Sequence, residues 1–138
     1  MRFFVLAVSL LCIVNVATGL AADRSICNPG SDIFFYPSGA LKSCMLGDSL
    51  TIDGLTCNQY SRIVFYEFGA LRSCTTADFF NYNGITCNQY AGVSFHPSGF
   101  LDTCVLATET RVQGKTCAPQ QPISFFENGA LRVCGTPE

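Results

Sequence analysis

Apolar and polar positions alternate along this chain in short bursts, and each burst ends at a glycine. Ile33 and Phe35, Ile63 and Phe65, Val93 and Phe95, and Ile123 and Phe125 keep the first and third positions of each burst apolar. The position between them drifts from Phe34 to Val64 to Ser94 to Ser124. Period-two alternation of β-branched and aromatic residues predicts a half-buried strand. Pro97-Ser98-Gly99 and Glu127-Asn128-Gly129 then read as hairpin turns, because glycine takes positive φ without steric cost. The strand after each turn carries Leu41, Leu71, Leu101 or Leu131 inward and Lys42, Arg72, Asp102 or Arg132 outward.

A second turn separates consecutive hairpins. Asp53-Gly54 and Asn83-Gly84 are strong short hairpin signals, and Gln113-Gly114 fits that pattern less well. Ile52, Tyr82 and Val112 before these turns, with Thr56, Thr86 and Thr116 after them, suit short strands. Helical periodicity is missing beyond the N-terminal segment. The expected fold is therefore all-β: an elongated antiparallel meander of tandem β-hairpins, twisted and repeating about every 30 residues.

Eight cysteines keep time with the repeat. Cys27, Cys44, Cys57, Cys74, Cys87, Cys104, Cys117 and Cys134 are spaced alternately 17 and 13 residues apart. Pairing across 17 gives one bond per unit with none left over. Pairing across 13 strands Cys27 and Cys134 at opposite ends. Parity favours the first scheme, and other connectivities remain open at this point. A tight turn places Cys44 opposite about Ile33, so Asn28-Pro29-Gly30-Ser31 has to fold back for Cys27 to reach it. Zinc sites favour closely spaced cysteine pairs, and none occurs here, so no metal is expected.

The N-terminus reads as a secretory signal peptide over residues 1–21. Arg2 supplies its positive charge, Phe3 to Val14 its apolar run, and Ala17, Gly19 and Ala21 its small residues. The apolar run is short for a bilayer span. Cys12 would leave with this segment, and residues 22–138 form one repeat domain with hairpin units 27–44, 57–74, 87–104 and 117–134. A secreted or periplasmic location fits an even number of cysteines forming disulfides. Without Arg2, 7 of the 8 Lys and Arg stand against 10 Asp and Glu. That balance disfavours nucleic acid and anionic membranes as partners.

The Phe-Tyr-x-x-Gly-x-Leu core resembles the MORN-like repeats of the YwqK type. The matching residues are Phe35-Tyr36 with Gly39 and Leu41, then Phe65-Tyr66 with Gly69 and Leu71. Phe95-His96 with Gly99 and Leu101, and Phe125-Phe126 with Gly129 and Leu131, complete the set. The cysteine columns and the longer repeat depart from that family. The resemblance implies a β-hairpin array with no catalytic residues to carry over. Some YwqK-type proteins are labelled antitoxins, which implies neutralising a toxin by direct binding.

Candidate chemistry is sparse. His96 is the sole histidine and shares its column with Tyr36, Tyr66 and Phe126, so it reads as an aromatic filler rather than a base. Asp48, Asp53, Asp78, Asp102 and Glu109 fall in or near turns, and a thin meander offers no evident cleft. No phosphate loop or cofactor motif occurs. Tyr36, Tyr66, His96 and Phe126 form the candidate binding stripe, since aromatic stripes hold proteins or stack on sugars. The expected function is non-catalytic presentation of an extended surface to a protein or glycan. A passive structural component of an envelope or matrix is the alternative.

Overall fold

The structure is a computed structural model and describes residues 22–138; the expected signal segment, residues 1–21, lies outside the described residues. After a 3-10 turn at Arg24–Ile26, the chain forms β1 (Phe34–Phe35), β2 (Leu41–Met45), β3 (Leu50–Ile52) and β4 (Leu55–Cys57). It continues through β5 (Arg62–Phe65), β6 (Leu71–Thr75), β7 (Phe80–Tyr82), β8 (Ile85–Cys87) and β9 (Gly92–Phe95). The last strands are β10 (Leu101–Val105), β11 (Thr110–Val112), β12 (Lys115–Cys117), β13 (Pro122–Phe125) and β14 (Leu131–Cys134). The four hairpins join edge to edge into one eight-stranded antiparallel sheet, in the order β1-β2-β5-β6-β9-β10-β13-β14. The expected hairpin array is present.

The shorter strands do not join that sheet. β3-β4, β7-β8 and β11-β12 are separate two-stranded ribbons. Their side chains show where they lie. Leu55, Phe80, Ile85 and Val112 share one buried cluster with Ile63, Phe65, Val93, Leu101, Ile123 and Phe125 of the sheet. The ring of Phe80 meets that of Phe95 edge-on, with centroids 6.1 Å apart. The ribbons thus fold over one face of the sheet, and the core lies between the two layers. An alternating pattern reports that one face of a strand is buried, but not what covers it, so a thin single layer was the sequence expectation.

Each hairpin contains a β-bulge. Phe35 pairs with Leu41, and Phe34 pairs with Ser43, so Lys42 is the extra residue. Equivalent shifts occur between β5 and β6, β9 and β10, and β13 and β14. Strict alternation would place Leu41 and Cys44 on opposite faces. The extra residue restores both to the core side, where each is nearly fully buried. It also turns Lys42 outward beside Ser43. The same geometry recurs at Arg72, Asp102 and Arg132.

The turns have the chemistry that these strands require. At the first hairpin tip, Gly39 N–H donates to Tyr36 O at 2.9 Å, and Gly39 sits at φ +89°. Each ribbon turns through two residues of positive φ, such as Asp53 (48°) and Gly54 (81°), the combination that suits a tight two-residue hairpin.

The disulfides follow the parity scheme: Cys27–Cys44, Cys57–Cys74, Cys87–Cys104 and Cys117–Cys134. Cys57, Cys87 and Cys117 close the ribbon strands β4, β8 and β12, while their partners lie in β6, β10 and β14. Three of the bonds therefore tie a ribbon to the sheet beneath it. The first ties the N-terminal link to β2, and the fold-back at Asn28 is closed by Ser31 N–H donating to Asn28 O at 3.0 Å. On the chain-entropy model, each such loop stabilises the fold by about 3 kcal/mol.

Candidate functional site

The ribbons cover one face of the sheet and leave the other open. Tyr36, Tyr66, His96 and Phe126 all lie on the open face, one per hairpin. Their polar atoms are already engaged. The Tyr36 hydroxyl donates to Phe65 O at 2.8 Å, and the Tyr66 hydroxyl donates to Phe95 O at 2.8 Å. His96 Nε2 lies 2.9 Å from Phe125 O and holds the same place. These three side chains form a ladder that ties each hairpin to the next, and Phe126 brings no donor. Tyr36, Tyr66 and His96 are consequently half-buried, while Phe126 is 48% exposed.

Cations lie over the rings. Lys42 Nζ is 5.6 Å from the centre of the Tyr36 ring, Arg72 is 5.6 Å from that of Tyr66, and Arg132 is 4.9 Å from that of Phe126. Arg62 sits 5.9 Å from the centre of the Phe34 ring on the same face. A cation held over an aromatic face gains about 0.5–1 kcal/mol when exposed. The bulge makes this possible, because it turns the residue after each leucine toward the aromatic of the partner strand.

The third hairpin departs at both positions together. His96 replaces tyrosine and Asp102 replaces the cation. Asp102 Oδ1 lies 3.4 Å from His96 Nε2 and 4.0 Å from Arg132 Nη1, and Asp102 Oδ2 accepts from Ser94 Oγ at 3.1 Å. A serine, a histidine and an aspartate are thus neighbours, but the aspartate stands in the middle. In a nucleophilic triad the histidine bridges serine and acid, so this order does not relay a proton from Ser94.

The row behind the rings crosses the whole sheet. Phe34, Ser43, Val64, Ser73, Ser94, Thr103, Ser124 and Val133 lie in register on neighbouring strands. Ser43 is buried, Val64, Ser73, Ser94, Thr103 and Ser124 are half-buried, and Phe34 and Val133 are exposed. The open face thus carries a mixed row, with hydroxyls at Ser73, Ser94, Thr103 and Ser124 and apolar side chains at Phe34, Val64 and Val133, beside a row of rings and cations.

The ribbon face has grooves that the sequence did not suggest. One, of about 480 Å³, lies between the first two ribbons, with Phe65, Leu71 and Phe95 beneath and Ile52, Leu55, Phe80 and Tyr82 at its sides. A second, of about 400 Å³, lies between the second and third ribbons, among Ile85, Phe100, Leu101, Val112 and Phe125. Among the described residues, no group of three or more His, Cys, Asp or Glu is placed to hold a metal ion, and no helix is long and apolar enough to cross a membrane.

Several residues without a sequence signal emerge at the links. Tyr60 and Tyr90 adopt positive φ (55° and 53°) and are 63% and 68% exposed. An aromatic residue in the left-handed region is strained, and in the last unit their column holds Gln120, also at positive φ (59°). Gln113 is another. Its Oε1 accepts from Leu131 N at 2.8 Å and its Nε2 donates to Gly129 O at 2.9 Å, which clips the third ribbon to the fourth hairpin. The weak Gln-Gly turn signal is explained by this reach, which the shorter Asp53 and Asn83 side chains lack.

In comparisons with known proteins, no family model, no curated protein and no solved structure matched this chain.

Proposed function

We propose that this chain is an exported, disulfide-stapled β-repeat protein that presents an extended surface to another macromolecule and performs no catalysis. The observation that carries this reading is the open face of the eight-stranded sheet, where four hairpins align one row of rings and three of them set a cation over it. Repeat arrays characteristically bind through such continuous surfaces. Exposed aromatic rings on that face and at its margin, Phe34, Phe68 and Phe126, supply contact area with little conformational entropy to lose. The resemblance to MORN-like repeats agrees with the hairpin unit and adds nothing about the partner.

The alternative, a passive envelope or matrix component, would use the sheet edges for assembly. The first edge strand, β1, is two residues long, and very short edge strands discourage pairing between copies.

The test is a binding panel of purified extracellular proteins and polysaccharides against the oxidised protein. Two variants accompany it, one altering Phe34 and Phe126 on the open face and one altering Ile52 and Tyr82 on the ribbon face. A ligand lost on the first alteration and kept on the second supports the reading. Absence of any ligand, together with concentration-dependent self-association, favours the passive role.

A further inference from the structure

Building on the binding-surface reading above, we propose that the open sheet face binds an acidic polysaccharide, an extended glycan that carries a carboxylate or sulfate at roughly every disaccharide. The starting point is a segregation of charge that composition conceals. Residues 22–138 carry more acids than bases. Yet Lys42, Arg62, Arg72 and Arg132 all lie on the open face, and Asp102 is the one carboxylate there. The other nine carboxylates lie in the turns, links, ribbons and chain ends. A negatively charged chain therefore presents one positive face.

Those cations are held ready for a ligand. Each is poised over an aromatic ring, which limits its rotamers before anything binds. Among the described residues, Lys42, Arg62 and Arg72 are in no ion pair, and Arg132 reaches Asp102 only at 4.0 Å. Their charges are not neutralised from within the chain.

Spacing then selects the ligand. Lys42, Arg72 and Arg132 occupy β2, β6 and β14 of the sheet order, so neighbouring units repeat every two strands. At strand separation, that repeat is about 10 Å. Duplex DNA carries a charge about every 1.7 Å along its axis, far denser than this row can match. One anion per repeat is the spacing of a glycan with one acidic sugar in two. Alongside run Ser73 and Ser124, whose hydroxyls suit sugar hydroxyls, while those of Ser94 and Thr103 already donate to Asp102 and to Ile123 O. At the third hairpin Asp102 interrupts the positive row, so the strongest contacts fall on the first two units.

The experiment uses the full oxidised chain and measures binding to hyaluronan, which carries one carboxylate per disaccharide, and to chondroitin sulfate, neutral dextran and duplex DNA. Two charge-matched variants are compared, Lys42→Gln with Arg72→Gln on the open face, and Arg24→Gln with Arg111→Gln away from it. Both are first shown to keep the four disulfides and the wild-type thermal transition.

The expected result is binding to the acidic glycans and not to dextran. It weakens about tenfold in the open-face pair and less than about twofold in the other pair, and it weakens as ionic strength rises from about 0.01 to about 0.15 M. Equal losses in the two pairs, equal binding to dextran, or tighter binding to DNA than to either glycan would overturn the proposal. If no glycan binds but a protein from the panel does, through the open face, the glycan assignment fails and the binding-surface reading stands. If nothing binds that face, both fail.

Discussion

Thr76 supplies the hydroxyl that Ala91 lacks. In the first two units, Ser31 and Ser61 donate from Oγ to the carbonyls of Asn28 and Asn58, at 2.8 and 2.6 Å. The third unit has Ala91 in that column, and there Thr76 Oγ1 donates to Asn88 O at 2.7 Å and accepts from Ala91 N at 3.2 Å. Thr76 is itself 1% exposed, where the units before and after it place Leu46 and Leu106. Two positions fifteen residues apart have changed so that one carbonyl keeps its donor.

This exchange predicts a coupling. Thr76→Leu restores the apolar column but leaves the Asn88 carbonyl without its donor, and should cost about 1–2 kcal/mol. Adding Ala91→Ser to that variant should recover most of the loss. Urea unfolding of the two single variants and the double variant measures the coupling, and additive effects would exclude the exchange.

The aromatic ladder predicts an asymmetry between units. Tyr66→Phe removes one hydrogen bond to Phe95 O and should cost about 1 kcal/mol. Phe126→Tyr adds a hydroxyl that meets no carbonyl of a following hairpin, and should change stability by less than about 0.5 kcal/mol. Equal effects at the two sites in thermal unfolding would rule out the ladder as a stabilising device.

Gln113 predicts a difference between ribbons. Gln113→Asn retains a residue that tolerates positive φ but shortens the side chain out of reach of Gly129 and Leu131. It should cost about 1–2 kcal/mol for the two lost bonds. Asp53→Asn in the first ribbon should be nearly neutral, which chemical denaturation of both variants would check.

Removing one staple should act locally. Cys57→Ser with Cys74→Ser should lower stability by about 3 kcal/mol. In a repeat array whose units contact mainly their neighbours, hydrogen exchange should rise in β5 and β6 and stay low in β13 and β14. Uniform loss of protection would mean that the four units unfold as one.

Much of this architecture was legible from spacing alone. Glycine columns, period-two alternation and cysteine parity located the hairpins and their bonds, because each depends on residues close in sequence. The bulge at Lys42 was not legible, since a single extra residue shifts which side chains face inward without altering the repeat. Nor was the layering: Leu55 and Ile85 announce a buried side, but only folding brings them over Phe65 and Phe95. For the site, the column of Tyr36, Tyr66, His96 and Phe126 was visible, and the carbonyls it meets 29 residues later were not. The positive face was hidden for the same reason, because Lys42, Arg62, Arg72 and Arg132 come to one face only through the pairing of the strands that carry them.

The ladder also gives the array a direction. Every rung is donated forward, from Tyr36 to the second hairpin, from Tyr66 to the third and from His96 to the fourth. Phe126 presents an edge that offers ring and guanidinium but no hydrogen for the next carbonyl. A second copy docking beyond β14 would find the rung that joins all other units missing. One absent oxygen atom therefore removes about 1 kcal/mol of hydrogen bonding from any strand that would pair beyond β14.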